Sequence, residues 1–261
     1  MEIILEKTNK RNVTRLSNSI NKIIYDLSAV ALDILFSLFA NIKKEDEELD
    51  TYEITINELN RRLTRKINKD SLNNALKELK GNEVYHISNP TIKFTFLEIC
   101  EYKVEESILI LKLNDMLKEY LLDLNREYLR LNFDTFLKLK SCYSKVLYLK
   151  FCQYKGIKEL TINIEELRIF LNIPDSFNYG NIKQRIINPT LKVLKESREF
   201  EYIDFIEYKK VKSVNKIKFK IIENSNSNTK NINNNRVKLR TKKTTQLSEK
   251  QKTLDYLENW I

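Results

Sequence analysis

The sequence predicts an α+β protein made of two related halves, and three observations support this. Amphipathic stretches with a 3.6-residue period alternate with short stretches of period two, which indicates both helices and strands. Two similar segments, YEITINELNRRL and KELTINIEELRIFL, each place a strand before a helix that contains Glu-Leu and Arg. They begin at Tyr52 and Lys158, an offset of roughly 106 to 108 residues, which is near the size of one small domain. We therefore expect an internal duplication.

The first half has the order helix, strand, helix, helix, hairpin. Ser28 is a suitable N-cap for an amphipathic helix over about residues 28–41, and the strand YEITI follows a polar loop. Asn57 and Asp70 are expected to cap the next two helices, and Gly81 to end the second. The alternating runs TIKFTFLEICEY and ESILILKL then predict a β-hairpin, and NDMLKEYLLDL a helix.

The second half repeats this order. After YLRLNFDTFLKLKS, a long helix ends at Gly156 and the strand LTINI follows. The next helix begins with a capping box formed by Asn163 and Glu166. A further helix covers residues 181–197, and a hairpin covers residues 200–222.

This order is that of a winged helix, a helix-turn-helix followed by a β-hairpin. We expect two tandem winged-helix domains, residues 20–124 and 125–223, after an N-terminal arm of residues 1–19. Residues 224–261 are rich in Asn and Lys and carry few large apolar groups, so this tail should be mostly disordered, with a possible short helix near its end.

Charge is unevenly distributed over the 261 residues. The formal net charge is +10, and the tail stretch 224–252 holds eight Lys or Arg against the single acid Glu249. Within the body, residues 138–158 carry six lysines and no acid. Such basic segments favour a polyanionic partner, although a basic balance also fits a membrane surface. No signal peptide and no run of about 18 apolar residues is present, so we expect a cytoplasmic protein with no membrane partner.

Enzyme chemistry is not indicated. His86 is the only histidine, and we expect it to be a partly buried polar residue beside a strand rather than a metal ligand. The three glycines fall at element ends, so no glycine-rich loop is available to hold phosphates. The three cysteines lack CxxC spacing and are expected to be buried free thiols. We predict no catalytic residues, no metal and no cofactor.

The helix over residues 181–197 has an apolar face and a basic, amide-rich face, and Pro189 lies in its middle. The proline should either kink the helix or begin a new one with Asn188 as N-cap. Asn and Gln can pair bidentately with adenine and Arg with guanine, whereas Lys contributes phosphate contacts. The expected DNA-contacting residues of this helix are Lys183, Gln184, Arg185, Asn188, Lys192 and Lys195.

The equivalent helix of the first domain has a similar face. Leu72, Ala75, Leu76 and Leu79 should point inward. The expected DNA-contacting residues are Asn73, Asn74, Lys77 and Lys80, with Arg61, Arg62, Arg65 and Lys66 just upstream. A solvated charged face is the alternative for both helices, because Asn and Lys are frequent throughout this chain.

Two other groups are expected to contact the DNA backbone. Lys140, Ser141, Tyr143 and Lys145 precede or open the long helix of the second domain, where backbone amides could hold a phosphate. The second group lies on the second hairpin and at its tip and consists of Lys209, Lys210, Lys212, Lys216 and Lys218. Simple solvation is the alternative for each of these lysines.

The second half resembles the C-terminal winged helix of the plasmid replication initiator (Rep) family of iteron-containing, theta-replicating plasmids. The matching features are Lys-Ser-x-Tyr-Ser-Lys at residues 140–145, Glu-Leu-Arg at 166–168 with Leu-x-Ile-Pro at 171–174, and Asn-Pro-x-Leu-Lys at 188–192. With the duplication, the resemblance covers roughly residues 20 to 222. The chain departs from the pattern at residues 195–197 and in its tail.

The resemblance implies a non-enzymatic protein that binds directly repeated sites at a plasmid origin, helps to open the origin and recruits host replication proteins. It also implies a homodimer, formed through the first domain in equilibrium with monomer, that represses the initiator's own gene. It makes residues 181–195 the main base contacts and 140–145 backbone contacts. The alternatives are a winged-helix transcriptional regulator without initiator activity and a DNA-processing enzyme.

Overall fold

The computed structural model describes residues 13–17, 20, 24, 26–42, 46–63, 66–89, 91–122, 128–224 and 240–242. Helices and strands are mixed, and two winged helices follow one another along the chain, as the sequence predicts. No helix in these ranges is both long and apolar enough to cross a membrane.

The first winged helix begins after a short strand, β1 (Val13–Ser17). Its elements are α1 (Ala29–Phe39), β2 (Thr51–Thr55), α2 (Ile56–Arg62), α3 (Lys69–Gly81), β3 (Val84–Tyr85), β4 (Lys93–Phe94), β5 (Leu97–Lys103), β6 (Ile108–Leu113) and, after a 3₁₀ turn, α4 (Lys118–Leu121). Strands β5 and β6 form the hairpin, and β2 pairs antiparallel with β6.

The second winged helix repeats this arrangement. Its elements are β7 (Tyr128–Asn132), α5 (Phe133–Lys138), α6 (Cys142–Tyr154), β8 (Glu159–Asn163), α7 (Ile164–Leu171), α8 (Tyr179–Ile182), a π-helical segment (Lys183–Ile187), α9 (Asn188–Ser197), β9 (Phe200–Lys210) and β10 (Ser213–Glu223). The hairpin strand β10 lies between β8 and β9 in an antiparallel sheet. The helices pack on the inner face of this sheet, where Ile217, Phe219 and Ile221 are fully buried.

One hydrophobic core joins the two halves. Strand β1 pairs antiparallel with β7, so equivalent strands of the two repeats contact each other. Helix α1 packs on α6, and Phe36 of α1 stacks on Phe136 of α5 with ring centroids 4.2 Å apart. The same boundary contains a buried ion pair between Asp33 of α1 and Lys145 of α6.

The helix boundaries agree with prediction at some ends and differ at others. Ser28 caps α1, and Glu166 accepts hydrogen bonds from the backbone and side chain of Asn163, as expected for the capping box. The caps predicted for the first helix-turn-helix were wrong. Thr55 rather than Asn57 caps α2, and Asn68 rather than Asp70 caps α3. Several residues able to cap lie next to one another here, and local sequence does not select among them.

The predictions for the histidine, the cysteines and the tail have different outcomes. His86 is largely buried as expected, with its Nε2 atom 3.2 Å from Glu119. All three cysteines are free thiols, but Cys152 is buried whereas Cys100 and Cys142 are only half-buried. Within the tail, residues 240–242 form a strand, β11 (Arg240–Lys242), beside β2. The terminal helix and the disorder expected for most of the tail fall outside the described residues, as does most of the N-terminal arm.

Candidate nucleic-acid interface

The segment from Tyr179 to Ser197 is one continuous helix that contains Pro189. Asn178 caps its start, because its side chain accepts a hydrogen bond from the Asn181 N–H at 2.9 Å. The turn before the proline is π-helical, and the Asn188 N–H donates to the Lys183 carbonyl. A wide turn at this point lets the helix continue past a residue that has no N–H. The predicted alternative of a restart with Asn188 as N-cap was wrong, since Asn188 itself has helical dihedral angles, and the kink at Pro189 stays a prediction.

The inner face of this helix is buried as predicted. Thr190 lies on it and donates a hydrogen bond to the Ile186 carbonyl at 2.6 Å, which satisfies its hydroxyl in the core. The buried residues are Ile182, Ile186, Ile187, Thr190, Leu191 and Leu194, with Val193 half-buried.

The outer face of α8–α9 presents amides and cations to solvent. Gln184, Arg185, Asn188, Lys192 and Lys195 are all exposed. The Arg185 guanidinium lies 5.3 Å from the centre of the Phe177 ring, which limits its freedom. The Lys195 ammonium lies 3.3 Å from an Asp204 carboxylate oxygen at the edge of β9. The face therefore combines groups that can pair with base edges and groups that can pair with phosphates.

Lys183 is held by an acid of the hairpin. Its ammonium lies 2.6 Å from the Glu207 carboxylate of β9, and the Tyr179 hydroxyl donates to the same oxygen at 2.7 Å. Hydrogen bonds from Lys183 and Tyr179 lower the pKa of the Glu207 carboxyl. These contacts connect the start of the helix to the hairpin. The carboxylate of Glu207 partly neutralises the charge of Lys183.

The turn between α7 and α8 is fixed by Arg168. Its guanidinium donates to the backbone carbonyls of Phe177 and Pro174, while Asn172 ends α7 in a left-handed conformation with φ of 50°. An arginine whose donors are used in this way positions the helix-turn-helix rather than contacting a ligand. Its place in the Glu-Leu-Arg motif gave no sign of this role, because the carbonyls it binds lie six and nine residues further along the chain.

Lys145 requires a correction. The prediction that it contacts the DNA backbone was wrong, because its side chain is fully buried and its ammonium lies 2.6 Å from Asp33 and 2.7 Å from the Phe136 carbonyl. The neighbouring Ser141 caps α6 by accepting the Ser144 N–H at 3.0 Å. Tyr143 is half-buried, and burial raises the pKa of its hydroxyl. Only Lys140 of the four predicted residues here is exposed.

The second hairpin presents its basic tip to solvent. Lys209, Lys210 and Lys212 are exposed around the β9–β10 turn, where Val211 has a positive φ of 59°. This placement agrees with the predicted position of these lysines at the wing, and their proposed contact with the DNA backbone remains a prediction.

The corresponding face of the first domain is arranged as the pattern indicates. Leu72, Ala75, Leu76 and Leu79 of α3 are buried, which confirms the predicted inner face. The residues facing outward are Asn74, Lys77 and Lys80, which are exposed, and Asn73, which is half-buried. Arg61 and Lys66 are exposed near α2. The side chain of Arg62 and all of Arg65 lie outside the described residues.

Sequence reasoning missed a surface on the other side of the second domain. The face of the β8–β10–β9 sheet that points away from the helices carries the exposed side chains Tyr202, Ile206 and Tyr208. The period-two pattern of β9 could have indicated this surface, because these three residues lie on the opposite side of the strand from the buried Ile203.

The chain was compared with known proteins. The family model described as "Initiator Replication protein, WH1" matches residues 13–152, and that described as "Initiator Rep protein, WH2" matches residues 163–221. Among solved structures, the chain resembles the one described as "Crystal structure of Pi initiator protein in complex with iteron DNA". The TM-score is 0.68 at 19% identity, with 84% of this chain and 100% of that chain covered. A search of curated proteins gave no match.

The first family model alone spans more than half of the chain, and its order of a first and a second winged helix is the order observed in the structure. The chain belongs to the initiator replication (Rep) protein family.

Proposed function

We propose that this protein is a plasmid replication initiator that binds directly repeated origin sites through the outer face of α8–α9. The observation that carries the proposal is the exposed series Gln184, Arg185 and Asn188, which opens a helix whose opposite side is buried. The major groove, ~12 Å wide, admits one such helix. The solved initiator with the same fold is described as bound to iteron DNA, which supports this ligand.

In this proposal the amides and Arg185 supply sequence discrimination. Each bidentate pair with a base contributes ~1–3 kcal/mol of preference over a wrong base. Lys192 and Lys195 on the same face, Lys140 before α6 and the lysines at the wing tip contact phosphates, which gives affinity without sequence preference. Lys183 contributes less, because Glu207 already holds its ammonium.

The first domain would bind the adjacent part of each repeat through Lys77, Lys80 and Asn74 of α3. These side chains are exposed on a helix that is equivalent to α8–α9 in the duplication. We place the boundary between the two domains at residues 124/125, before β7, because α6 packs on α7, α9 and β8 of the second winged helix.

A surface suited to a homodimer lies on the first-domain sheet. Its outer face carries Ile99, which is 40% exposed, and the half-buried Ile110 and Ile108 of the next strand. In the register these isoleucines lie opposite Lys112, Glu101 and Lys103, and the Lys112 ammonium is 2.6 Å from Glu98. Isoleucines that alternate with charges of both signs can pair with the same surface of a second copy about a two-fold axis. We propose dimerisation here, and repression of the protein's own gene by the dimer.

Opening of the origin and recruitment of host replication proteins complete the proposal. The main rival is a winged-helix transcriptional regulator, which would use the same α8–α9 face on a single operator. The two functions differ in outcome, because only an initiator would melt an A·T-rich duplex next to its binding sites.

Selection of bound sequences from random duplex DNA at ~150 mM salt tests the sequence-specific part, because non-specific binding is weakened there. We expect one asymmetric motif covering two successive major-groove faces, and its loss in Asn188→Ala. Lys192→Ala is the matched control and should weaken binding to all sequences by a similar factor. Recovery of no motif would refute sequence-specific origin binding. Permanganate footprinting beside cloned repeats then distinguishes an initiator, which exposes thymines there, from a regulator, which does not.

A further inference from the structure

The outer face of the second-domain sheet carries a strip of aromatic, apolar and lysine side chains. Tyr202, Ile206 and Tyr208 of β9 are 48%, 61% and 45% exposed. They are out of phase with the inward residues of that strand, so they share the face that points away from the helices. Large apolar side chains grouped on a surface usually mark a binding site.

Lysines follow the same strip on the neighbouring strand. Lys216 lies opposite Tyr208 and Lys218 opposite Ile206 in the β9–β10 register, and Lys220 lies two residues further on. The Lys220 ammonium is 5.3 Å from the centre of the Tyr202 ring. Two acids lie on this face: Glu159 of β8, which is 2.8 Å from the Lys218 ammonium, and Asp204 of β9, which lies opposite Lys220 in the register. The lysines therefore outnumber the acids here.

We propose that this strip, composed of Tyr202, Ile206, Tyr208, Lys216, Lys218 and Lys220, binds single-stranded DNA. Exposed aromatic rings beside cations are the chemistry of single-strand binding, because every base has a face that can stack on a ring and every nucleotide has a phosphate. The tyrosines provide the stacking positions, and the lysines follow the backbone.

The lysines repeat regularly along the strip, and the exposed rings beside them favour a single strand over a duplex. Alternate residues of a β-strand are about 7 Å apart, so Lys216, Lys218 and Lys220 repeat at that distance. The bases of a duplex are paired and stacked on one another, whereas an unstacked single strand leaves its bases free to stack on Tyr202 and Tyr208, which are about 20 Å apart along β9.

The position of the strip links it to the proposed function. It begins next to the basic tip of the hairpin, at Tyr208, and runs away from that tip along β9 to Tyr202. A strand released by opening of the origin would meet the strip while the outer face of α8–α9 stays on the duplex repeat. The inference thus rests on the proposed initiator function for its biological meaning, but the binding itself is tested separately.

The test uses the full chain with a labelled oligothymidylate of about 15 nucleotides and, separately, a duplex carrying the selected site. Fluorescence anisotropy is measured at ~150 mM salt. In the variant Tyr202→Ala/Tyr208→Ala, we expect single-strand affinity to fall on the order of tenfold or more, while affinity for the duplex stays within about twofold. Tyr202→Phe/Tyr208→Phe keeps both rings and should retain single-strand binding. Tyr85→Ala, at an exposed tyrosine of the first domain, is the matched control.

Three results would overturn the inference. The first is failure of the parent chain to bind the oligothymidylate, and the second is an unchanged single-strand affinity in the double alanine variant. The third is displacement of the oligothymidylate by polyglutamate at equal charge concentration, which would assign the strip to an acidic protein segment. Loss of duplex specificity in Asn188→Ala reports on the proposed function alone, so failure of one idea does not imply failure of the other.

Discussion

The buried Lys145 stabilises the boundary between the two domains. Its replacement, followed by a measurement of the free energy of unfolding, tests this role. Its ammonium lies 2.6 Å from Asp33, 2.7 Å from the Phe136 carbonyl and 4.3 Å from the centre of the Phe136 ring. Both charged side chains are buried. The pair connects α1 of the first winged helix with α6 of the second.

The variant Lys145→Met keeps most of the side-chain volume and removes the charge. The Asp33 carboxylate then stays buried without this cation, and breaking a buried pair by removing one partner costs about 3–5 kcal/mol. We expect the free energy of unfolding to fall by that amount. The double variant Asp33→Leu/Lys145→Met removes both charges, and it should recover most of the loss because well-packed apolar replacements of buried pairs are often near neutral.

Urea unfolding followed by circular dichroism measures these differences, and the double-mutant cycle isolates the pair. The matched control is Lys140→Met, five residues earlier and exposed. It should change the free energy of unfolding by less than about 0.5 kcal/mol. If Lys140 contacts a phosphate, its removal lowers the slope of log affinity against log salt by ~0.9, whereas Lys145→Met leaves that slope unchanged while the protein is folded.

The opposite pattern would refute this account of Lys145. A variant that keeps its full free energy of unfolding and loses ~0.9 of the salt slope would show that the ammonium reaches a phosphate in the complex.

Three further predictions follow from the site and its surroundings. Pro189→Ala restores a backbone N–H and lets the helix close into regular α turns; we expect about tenfold weaker binding to the selected site, and an unchanged motif and affinity would refute a role for the π-helical turn. Glu207→Gln removes the acid that holds Lys183, so the salt slope for duplex binding should steepen by up to ~0.9, and an unchanged slope would place Lys183 away from phosphate. Burial raises the pKa of the Cys152 thiol to about 12 and that of the Tyr148 hydroxyl well above 10.0, so the unfolded chain loses these protons first. The free energy of unfolding should therefore fall as the pH rises above about 9, and equal urea midpoints at about pH 8 and pH 10 would contradict this.

The order of elements could be predicted from sequence because it depends on local pattern. The inward residues of α3 and of α8–α9 follow from a 3.6-residue period, and the capping box at Asn163 needs residues only three apart. Repetition of the same order in both halves made the winged-helix prediction firmer than either half alone. The exposed face of α8–α9 followed from the same period, so most of the candidate site could be located in advance.

The features that could not be predicted from the sequence depend on contacts between residues that are far apart along the chain. Lys145 lies in a run of six lysines without an acid, and its partner Asp33 is on a helix of the other domain, so nothing nearby indicates burial. Glu199 is similar, since it is buried against Tyr148 and Lys155, respectively 51 and 44 residues earlier. The π-helical turn before Pro189 was missed because a proline is compatible with a kink, a restart or a wide turn, and packing decides among them.

The duplication allows the sheets of the two domains to be compared, and their outer faces indicate different binding partners. The two sheets are equivalent by topology, but their outer faces differ in chemistry. The first carries isoleucines with charges of both signs, including the paired Lys112 and Glu98, whereas the second carries tyrosines with Lys216, Lys218 and Lys220. Isoleucine offers no flat ring for a base and fits a protein surface, while tyrosine beside lysine fits a nucleic acid. Duplicated sheets under one common constraint would keep similar outer faces. The difference between the two outer faces is therefore expected if the first domain dimerises and the second domain binds both duplex and single-stranded DNA.

Exchange of Tyr202 and Tyr208 for Ile should accordingly abolish oligothymidylate binding while leaving the sheet folded, because isoleucine also favours β-strands. If that variant still binds the oligothymidylate, the charge of the lysines alone accounts for binding by the strip.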